Sequence, residues 1–272
     1  MDQLHQKEQK LREYLQELGG VAIAFSGGVD STFLAWEAHD VLGDRMMTIT
    51  ADSEFFPERE RKEADRFCRE QGIRRRILKI EELGTEEIRK NPPNRCYFCK
   101  RRLFEQILAA AKDENLLFAA EGSNMDDNGD YRPGMLAIKE LGIKSPLRHA
   151  GLYKKEIRAL SREHGLPTWQ KPSFACLASR FPYGEEITRE GLHMVDRAEQ
   201  LLLDLGFHQV RVRIHGGTIA RIELEPSEFP KIMNDECRKV VDSAFRSYGF
   251  QYITLDLVGY RTGSMNEVLT DK

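Results

Sequence analysis

No apolar run in the sequence approaches the roughly 18 residues that a membrane-spanning helix needs. Nor is there an excess of one charge. The 41 basic residues face 44 acidic ones, a net charge of -3, so no overall field draws the chain to nucleic acid or a membrane surface. The short basic run Arg74-Arg75-Arg76 reads as a solvated turn rather than a nucleic-acid patch. Residues 1–20 mix acidic and basic side chains without an apolar centre, which is not the pattern of a secretory signal. The five cysteines (Cys68, Cys96, Cys99, Cys176 and Cys237) are an odd number in a chain without an export signal. A reducing cytoplasm is therefore expected, where thiols are reactive, metal-binding or inert rather than paired. The sequence has no internal repeat, no low-complexity segment and no Gly-Lys-Ser/Thr ending of a Walker A loop.

What is present is an ordinary globular composition, 40% hydrophobic and 31% charged, in a chain of 272 residues. At roughly 150 residues per domain that is about two domains, long enough to bury a core without staples. Leu4, Leu11, Leu15 and Leu18 fall near helical spacing, and Gly19-Gly20 ends that segment. The apolar run Val21-Ala22-Ile23-Ala24-Phe25 is the mark of a strand buried on both faces. Helices are expected at 31–42, 58–71, 95–112, 133–141 and 154–164, and further strands at 46–50, 76–80 and 116–121. That alternation predicts an α/β parallel sheet. After a breaker-rich loop at 167–182 the pattern changes to helix (188–205), strand (209–214), strand (218–223), helix (229–248) and strand (252–257). Gly216-Gly217 forms a hairpin-type turn between the first two of these strands. The expectation is a parallel-sheet domain over 1–175 and a small α+β domain over 176–272, the latter for substrate binding and assembly into a homo-oligomer.

Chemistry enters at Ser26-Gly27-Gly28-Val29-Asp30-Ser31-Thr32, between the first strand and its helix. Gly27 and Gly28 let backbone N–H groups approach an anion, and Ser26, Ser31 and Thr32 add hydroxyl donors. The helix points its positive end at the same spot. This describes a phosphate cradle at the carboxyl end of a parallel strand, although a serine-capped strand-to-helix turn has the same letters. A second cluster, Glu121-Gly122-Ser123-Asn124-Met125-Asp126-Asp127, ends another parallel strand and is expected to line the same crevice. Asn124 suits a ribose or phosphate, and Asp126 and Asp127 suit Mg²⁺, while the same residues also make polar turns. Ala51, in Thr50-Ala51-Asp52-Ser53, ends the second strand and is expected beside an adenine.

Cys176 lies between Pro172 and Pro182, close to Lys171 and Arg180, and nearby cations raise a thiolate fraction. A small buried hydrophobe fits the same position. Cys96 and Cys99 form a Cys-x-x-Cys at a helix start, with both sulfurs on one side. Structural thiols, zinc, redox chemistry or cluster ligation all remain open there. Arg211 and Arg213 alternate on one strand and so share a face, suited to a phosphate or to pairing with Glu199 or Glu223. Tyr97, Trp169 and Tyr183 offer rings for stacking.

The segment Phe25 to Thr32 resembles the loop of the PP-loop ATP pyrophosphatases, which cleave ATP between the α and β phosphates and activate a substrate oxygen as an adenylate. That implies ATP, with Asp30 as a Mg²⁺ or pyrophosphate-side residue. Together with the Cys176 loop and Asn94-Arg95-Cys96-Tyr97-Phe98-Cys99-Lys100, the whole chain resembles the LarE family of sacrificial sulfur transferases, which serves the nickel-pincer cofactor of lactate racemase. The resemblance implies adenylation of a carboxylate of pyridinium-3,5-biscarboxylic acid mononucleotide, displacement of AMP by Cys176, and cleavage of the Cys176 Cβ–S bond to leave dehydroalanine. It implies substrate contacts at Arg180, Arg211, Arg213, Tyr97 and Ser179. It also leaves a variant in which Cys96, Cys99 and Cys176 hold a [4Fe-4S] cluster that carries the sulfur. A PP-loop tRNA thiolase is the rival; it is disfavoured by the charge balance and the lack of an appended basic module. An amidating synthetase of the NAD or GMP type would need no reactive cysteine.

Overall fold

The computed structural model describes residues 2–127, 133–172, 176–261 and 263–266. In chain order the elements are α1 (Gln3–Leu18), β1 (Val21–Ala24), α2 (Val29–Leu42), β2 (Met46–Asp52), α3 (Glu58–Glu70), β3 (Arg75–Lys79), α4 (Glu86–Arg89), α5 (Arg95–Asp113), β4 (Phe118–Ala120), α6 (Pro133–Glu140), α7 (Pro146–His149), α8 (Lys154–Glu163), α9 (Arg189–Asp204), β5 (Arg211–His215), β6 (Ile219–Glu223), α10 (Phe229–Ile232), α11 (Asp235–Tyr248) and β7 (Tyr252–Leu255). The single turns α4 and α7 are too short to leave a periodic signal. The helix expected over 229–248 is two helices, because Asn234 takes extended backbone and its side chain accepts the Glu236 N–H at 2.9 Å, starting α11 afresh.

Two compact units are distinguished, Met1–Ile80 with Asn94–Phe174, and Glu81–Pro93 with Ala175–Lys272. In the first, β3-β2-β1-β4 form a wholly parallel sheet. Successive residues of β1 face opposite ways. Val21 and Ile23 pack with Leu11 and Leu15 of α1, Phe33 and Leu34 of α2 and Ile157 of α8, whereas Ala22 packs with Phe104 and Ile107 of α5. Helices therefore cover both faces, which is why the sequence of β1 shows no polar alternation. The strand order matters for function. The chain moves from β1 outward through β2 to β3, then returns to place β4 on the other side of β1. The carboxyl ends of β1 and β4 thus flank the switch point at which doubly wound sheets bind ligands.

In the second unit, β5 and β6 are antiparallel across Gly216 and Gly217, both at positive φ (55° and 73°), and β7 joins β6 in parallel. The segment Glu81–Pro93 belongs here. Asn91, buried and at φ 52°, donates from its side-chain amide to the carbonyls of Phe181 (3.1 Å) and Pro182 (2.7 Å), and Ile187 N–H reaches Arg89 O at 2.8 Å. No helix among the described residues is long and apolar enough to cross a membrane.

Phe33 is fully buried and Leu117 is 85% exposed. Phe33→Ala is expected to lower the unfolding free energy by about 3–5 kcal/mol. Leu117→Ala should change it by about 0.5 kcal/mol or less. Urea midpoints of the two variants check the contrast.

Candidate functional site

In the first unit a candidate anion cradle is built where β1 runs into α2. Gly27 takes φ +72°, which turns the chain sharply, and a Cβ there would press on Ala64 Cβ at 3.3 Å and Glu60 O at 3.4 Å of α3. Gly28 is the N-cap of α2 and has no side chain to occupy the helix end, so the first N–H groups of α2 point into the loop. Ser26 Oγ lies 3.1 Å from Ser31 Oγ and accepts the Gly28 N–H at 3.4 Å, while Ser31 Oγ donates to Gly28 O at 3.2 Å. Thr32 is fully buried, and its hydroxyl has no partner among the described residues. Ser26, Gly27, Gly28, Ser31 and Thr32 thus form one continuous turn with hydroxyls and backbone donors around a helix N-terminus, the requirement for holding an anion.

The loop after β4 closes against this turn. A Cβ on Gly122 would lie 3.1 Å from Ser31 N, 3.2 Å from Asp30 Cβ and 3.3 Å from Asp30 C, so only glycine permits the approach. Beyond it, Asn124 Nδ2 donates to Asp30 Oδ1 at 3.3 Å, and the Lys154 ammonium forms an ion pair with Asp30 Oδ2. Asp126 and Asp127 fold the turn: Asp127 Oδ2 accepts Asn124 N–H at 2.8 Å, and Asp126 Oδ2 accepts Lys154 N–H at 2.7 Å. Glu121 is buried and accepts hydroxyl bonds from Ser123 and Ser145, each at 2.6 Å. The structure therefore brings Asp30, Gly122, Asn124, Asp126 and Asp127 together, and it adds Lys154. Ala51 is half-buried near the end of β2, where the neighbouring Asp52 pairs with Arg61.

Lys154 is not legible in the sequence as a site residue, although one signal exists. It opens α8 beside Lys155, and two lysines in a first turn oppose the helix dipole unless an acid answers them. Lys171, a neighbour of Cys176 in sequence, turns elsewhere. Its ammonium donates to Gly27 O at 3.0 Å and pairs with Glu60 at 2.7 Å and Glu63 at 2.6 Å. Trp169, expected as a stacking ring, lies under the Arg162 guanidinium at 5.1 Å.

In the second unit a buried layer of charge lies beside Cys176. Ser173, Phe174 and Ala175 of the cysteine loop lie outside the described residues. Cys176 is half-buried, and its carbonyl accepts Ser179 N–H at 2.9 Å, Ser179 Oγ–H at 2.7 Å and Arg180 Nη1–H at 3.4 Å. Arg180 is completely buried and forms a two-point pair with Glu199 at 2.7 and 2.8 Å. Burial opposes the charge on Arg180, but Glu199 outweighs it and holds the guanidinium above its ordinary pKa, with the Cys176 sulfur adding in the same direction. Burial likewise works against the Glu199 carboxylate, and Arg180 overrides it and keeps Glu199 below the usual range. A fixed cation next to Cys176 favours the thiolate.

Arg213 donates to Glu223 at 2.7 and 3.0 Å, to Ser179 O at 2.7 Å and to Ser264 Oγ at 2.7 Å. Arg211 donates to Val210 O at 2.7 Å, and its guanidinium lies 5.2 Å from the Tyr260 ring. Burial, followed by the like charge of Arg180, lowers Arg211 to about 10. Both arginines are buried, so the shared face of β5 is an interior face rather than a solvated one. In the layer Arg180, Arg211 and Arg213 meet Glu199 and Glu223, and Arg221 also pairs with Glu223 at 3.1 Å.

Cys96 is exposed and Cys99 half-buried near the start of α5, three residues apart on one side of the helix. Tyr97 donates its hydroxyl proton to Glu140 at 2.7 Å and accepts from Arg101 at 2.8 Å.

The sequence model of the NAD synthase family matches residues 3–95, the stretch that contains the cradle. An uncharacterised protein of Synechocystis is 43% identical over 98% of this chain and 99% of its own length. A glutamine-hydrolysing GMP synthase component from Thermoplasma acidophilum is 27% identical over 68% of this chain and 64% of its own. The pyridinium-3,5-bisthiocarboxylic acid mononucleotide synthase of Lactiplantibacillus plantarum is 37% identical over 99% of this chain and 97% of its own. With a cradle at the β1–β4 switch point, a cysteine beside a buried guanidinium, and that likeness running from end to end, the chain belongs to the LarE family of ATP-dependent sulfur transferases.

Proposed function

We propose that this chain adenylates the carboxylates of pyridinium-3,5-biscarboxylic acid mononucleotide with ATP and converts them to thiocarboxylates, with Cys176 as the sulfur donor, in the biosynthesis of a nickel-pincer cofactor. The observation that carries the reading is the setting of Cys176, whose carbonyl is fixed by Ser179 and Arg180 while Arg180 is itself locked to Glu199. A thiol that merely filled space would need no buried cation anchored beside it.

In the first step a substrate carboxylate oxygen attacks the α-phosphorus of ATP, forming an acyl adenylate and releasing pyrophosphate. Ser26, Gly27, Gly28, Ser31 and Thr32 receive the departing phosphates through backbone and hydroxyl donors at the positive end of α2. Ala51 flanks the adenine, and Gly122 and Asn124 close the nucleotide from the β4 side. Asp30, Asp126 and Asp127 offer the oxygen donors that a hard cation such as Mg²⁺ takes. The ion pair between Asp30 and Lys154 supports the fit, since it places a cation against the same carboxylate. When bound, Mg²⁺ neutralises charge on the leaving pyrophosphate.

In the second step the Cys176 thiolate attacks the acyl carbon and AMP leaves, giving a thioester. Loss of the Cα proton of Cys176 with rupture of its Cβ–S bond leaves dehydroalanine in the chain and the sulfur on the product. One chain supplies one sulfur, so two chains serve one bisthiocarboxylic acid. The cluster of guanidiniums suits an anionic substrate, with Arg211 as its phosphate partner and Arg180 and Arg213 completing the field. Ser179 and Tyr97 are the remaining polar contacts proposed for it.

Three results are expected. Intact-protein mass spectrometry after turnover should show loss of the elements of H₂S, mapped to Cys176, and Cys176→Ser should still release pyrophosphate without transferring sulfur. An unchanged mass in an iron-containing protein would instead place the sulfur on a cluster held by Cys96, Cys99 and Cys176. Gly122→Ala should raise the ATP dissociation constant by about tenfold or more, since a shift of about 1.4 kcal/mol suffices and the new methyl lies within 3.3 Å of Asp30 and Ser31 backbone. Arg180→Met should cost about 3–5 kcal/mol of stability by stranding Glu199. Arg180→Met/Glu199→Leu should recover most of that loss in a urea titration yet stay inactive in sulfur transfer; recovery of transfer would show that Arg180 serves folding alone.

A further inference from the structure

Apart from the cradle, three helices of the first unit bring Glu8 (α1), Glu37 (α2) and His164 (directly after α8) to one point. One ligand atom from each lies within 4.8 Å of the other two. Glu37 is fully buried and Glu8 is 8% exposed. Glu37 Oε2 accepts from Arg12 at 2.7 Å, and Arg12 is in turn held by Asp40 at 2.5 Å. Glu37 Oε1 is buried with no hydrogen-bond partner among the described residues. Glu8 Oε1 lies 2.5 Å from His164 Nε2, and the His164 ring stacks on Trp36 at 4.3 Å. Two carboxylates thus converge in an apolar helix interface, one of them turning an unanswered oxygen inward. Such an oxygen is costly to bury unless something positive meets it.

We propose that Glu8, Glu37 and His164 form a binding site for a divalent transition-metal ion of the Zn²⁺ class. The donor set is one imidazole nitrogen and two carboxylate oxygens, which suits zinc better than Mg²⁺ or Ca²⁺, because the hard cations seek oxygen alone. Charge agrees. A 2+ ion cancels Glu8 and Glu37 with His164 neutral, and Arg12 and Asp40 cancel each other. The three ligands stand far apart in sequence, so the ion ties α1, α2 and the end of α8 together behind the helix whose N-terminus forms the phosphate cradle. Three protein donors leave the fourth tetrahedral position to water, and the half-exposed His164 leaves an entry path from solvent.

The test uses the full chain, stripped with chelator, carrying Cys96→Ser/Cys99→Ser to remove the competing thiol pair and Trp169→Phe to leave Trp36 as the one tryptophan of the two in the sequence. Zinc chloride is titrated by calorimetry and by Trp36 emission. One equivalent is expected to bind, to change Trp36 emission and to raise the melting temperature. Glu37→Gln should weaken binding by about tenfold or more, as should His164→Gln, whose partly exposed position spares the fold. Zinc binding that neither substitution weakens, or no zinc binding, overturns the proposal.

Discussion

The cradle of the first unit depends on β1 being hydrogen-bonded on both sides. Its register with β2 and with β4 consumes the backbone donors and acceptors of a strand only four residues long. A strand so held cannot slide, and the turn that follows starts from a fixed point. The other constraints follow from that anchoring. Gly27 turns into the left-handed region, Gly28 leaves the end of α2 uncovered, and Gly122 brings a second loop to within contact of the same backbone. Gly122 is there because backbone must lie against backbone, and Gly27 because its φ is left-handed and α3 lies against it.

The layer around Cys176 in the second unit works by the opposite principle. The cradle offers donors that want a charge, whereas the layer around Cys176 contains charges already matched. Arg180 and Glu199 are both fully out of water, a situation that is stable only because the pairing is two-pronged and Val212 N–H supplies a further bond to Glu199 at 3.0 Å. Matched charge of this kind does little for net stability compared with an apolar substitute. What it gives is a fixed position for the Cys176 carbonyl, which Ser179 and Arg180 both hold.

Much of this is legible in the sequence wherever the signal is local. The apolar run of β1, the Ser-Gly-Gly-x-Asp-Ser-Thr turn, the Gly122–Asp127 cluster and the shared face of Arg211 and Arg213 are each decided by neighbours within a few residues. The rest requires long-range partners. Lys154 reaches Asp30 across 124 positions and Lys171 reaches Gly27 across 144, so proximity in sequence to Cys176 misassigns the latter. Arg180 reads as an open substrate contact and is an interior residue, because its partner Glu199 arrives on a helix nineteen positions later. Glu8 and His164 stand 156 positions apart and carry no motif at all.

The short segment from Glu81 to Pro93 has a consequence for how the chain is made. It belongs with residues that follow position 175, yet it is synthesised before half of the first unit exists. When it leaves the ribosome, Ile88 has no cover and the Asn91 amide has no carbonyl to meet, since Phe181 and Pro182 are some ninety residues from being translated. The parallel sheet must therefore close around β4 while a loop of the other unit hangs unsatisfied from it. Neither unit can be expressed as one uninterrupted fragment without cutting that loop from its partners, and the nascent chain is exposed to chaperones and proteases there until the last third has emerged.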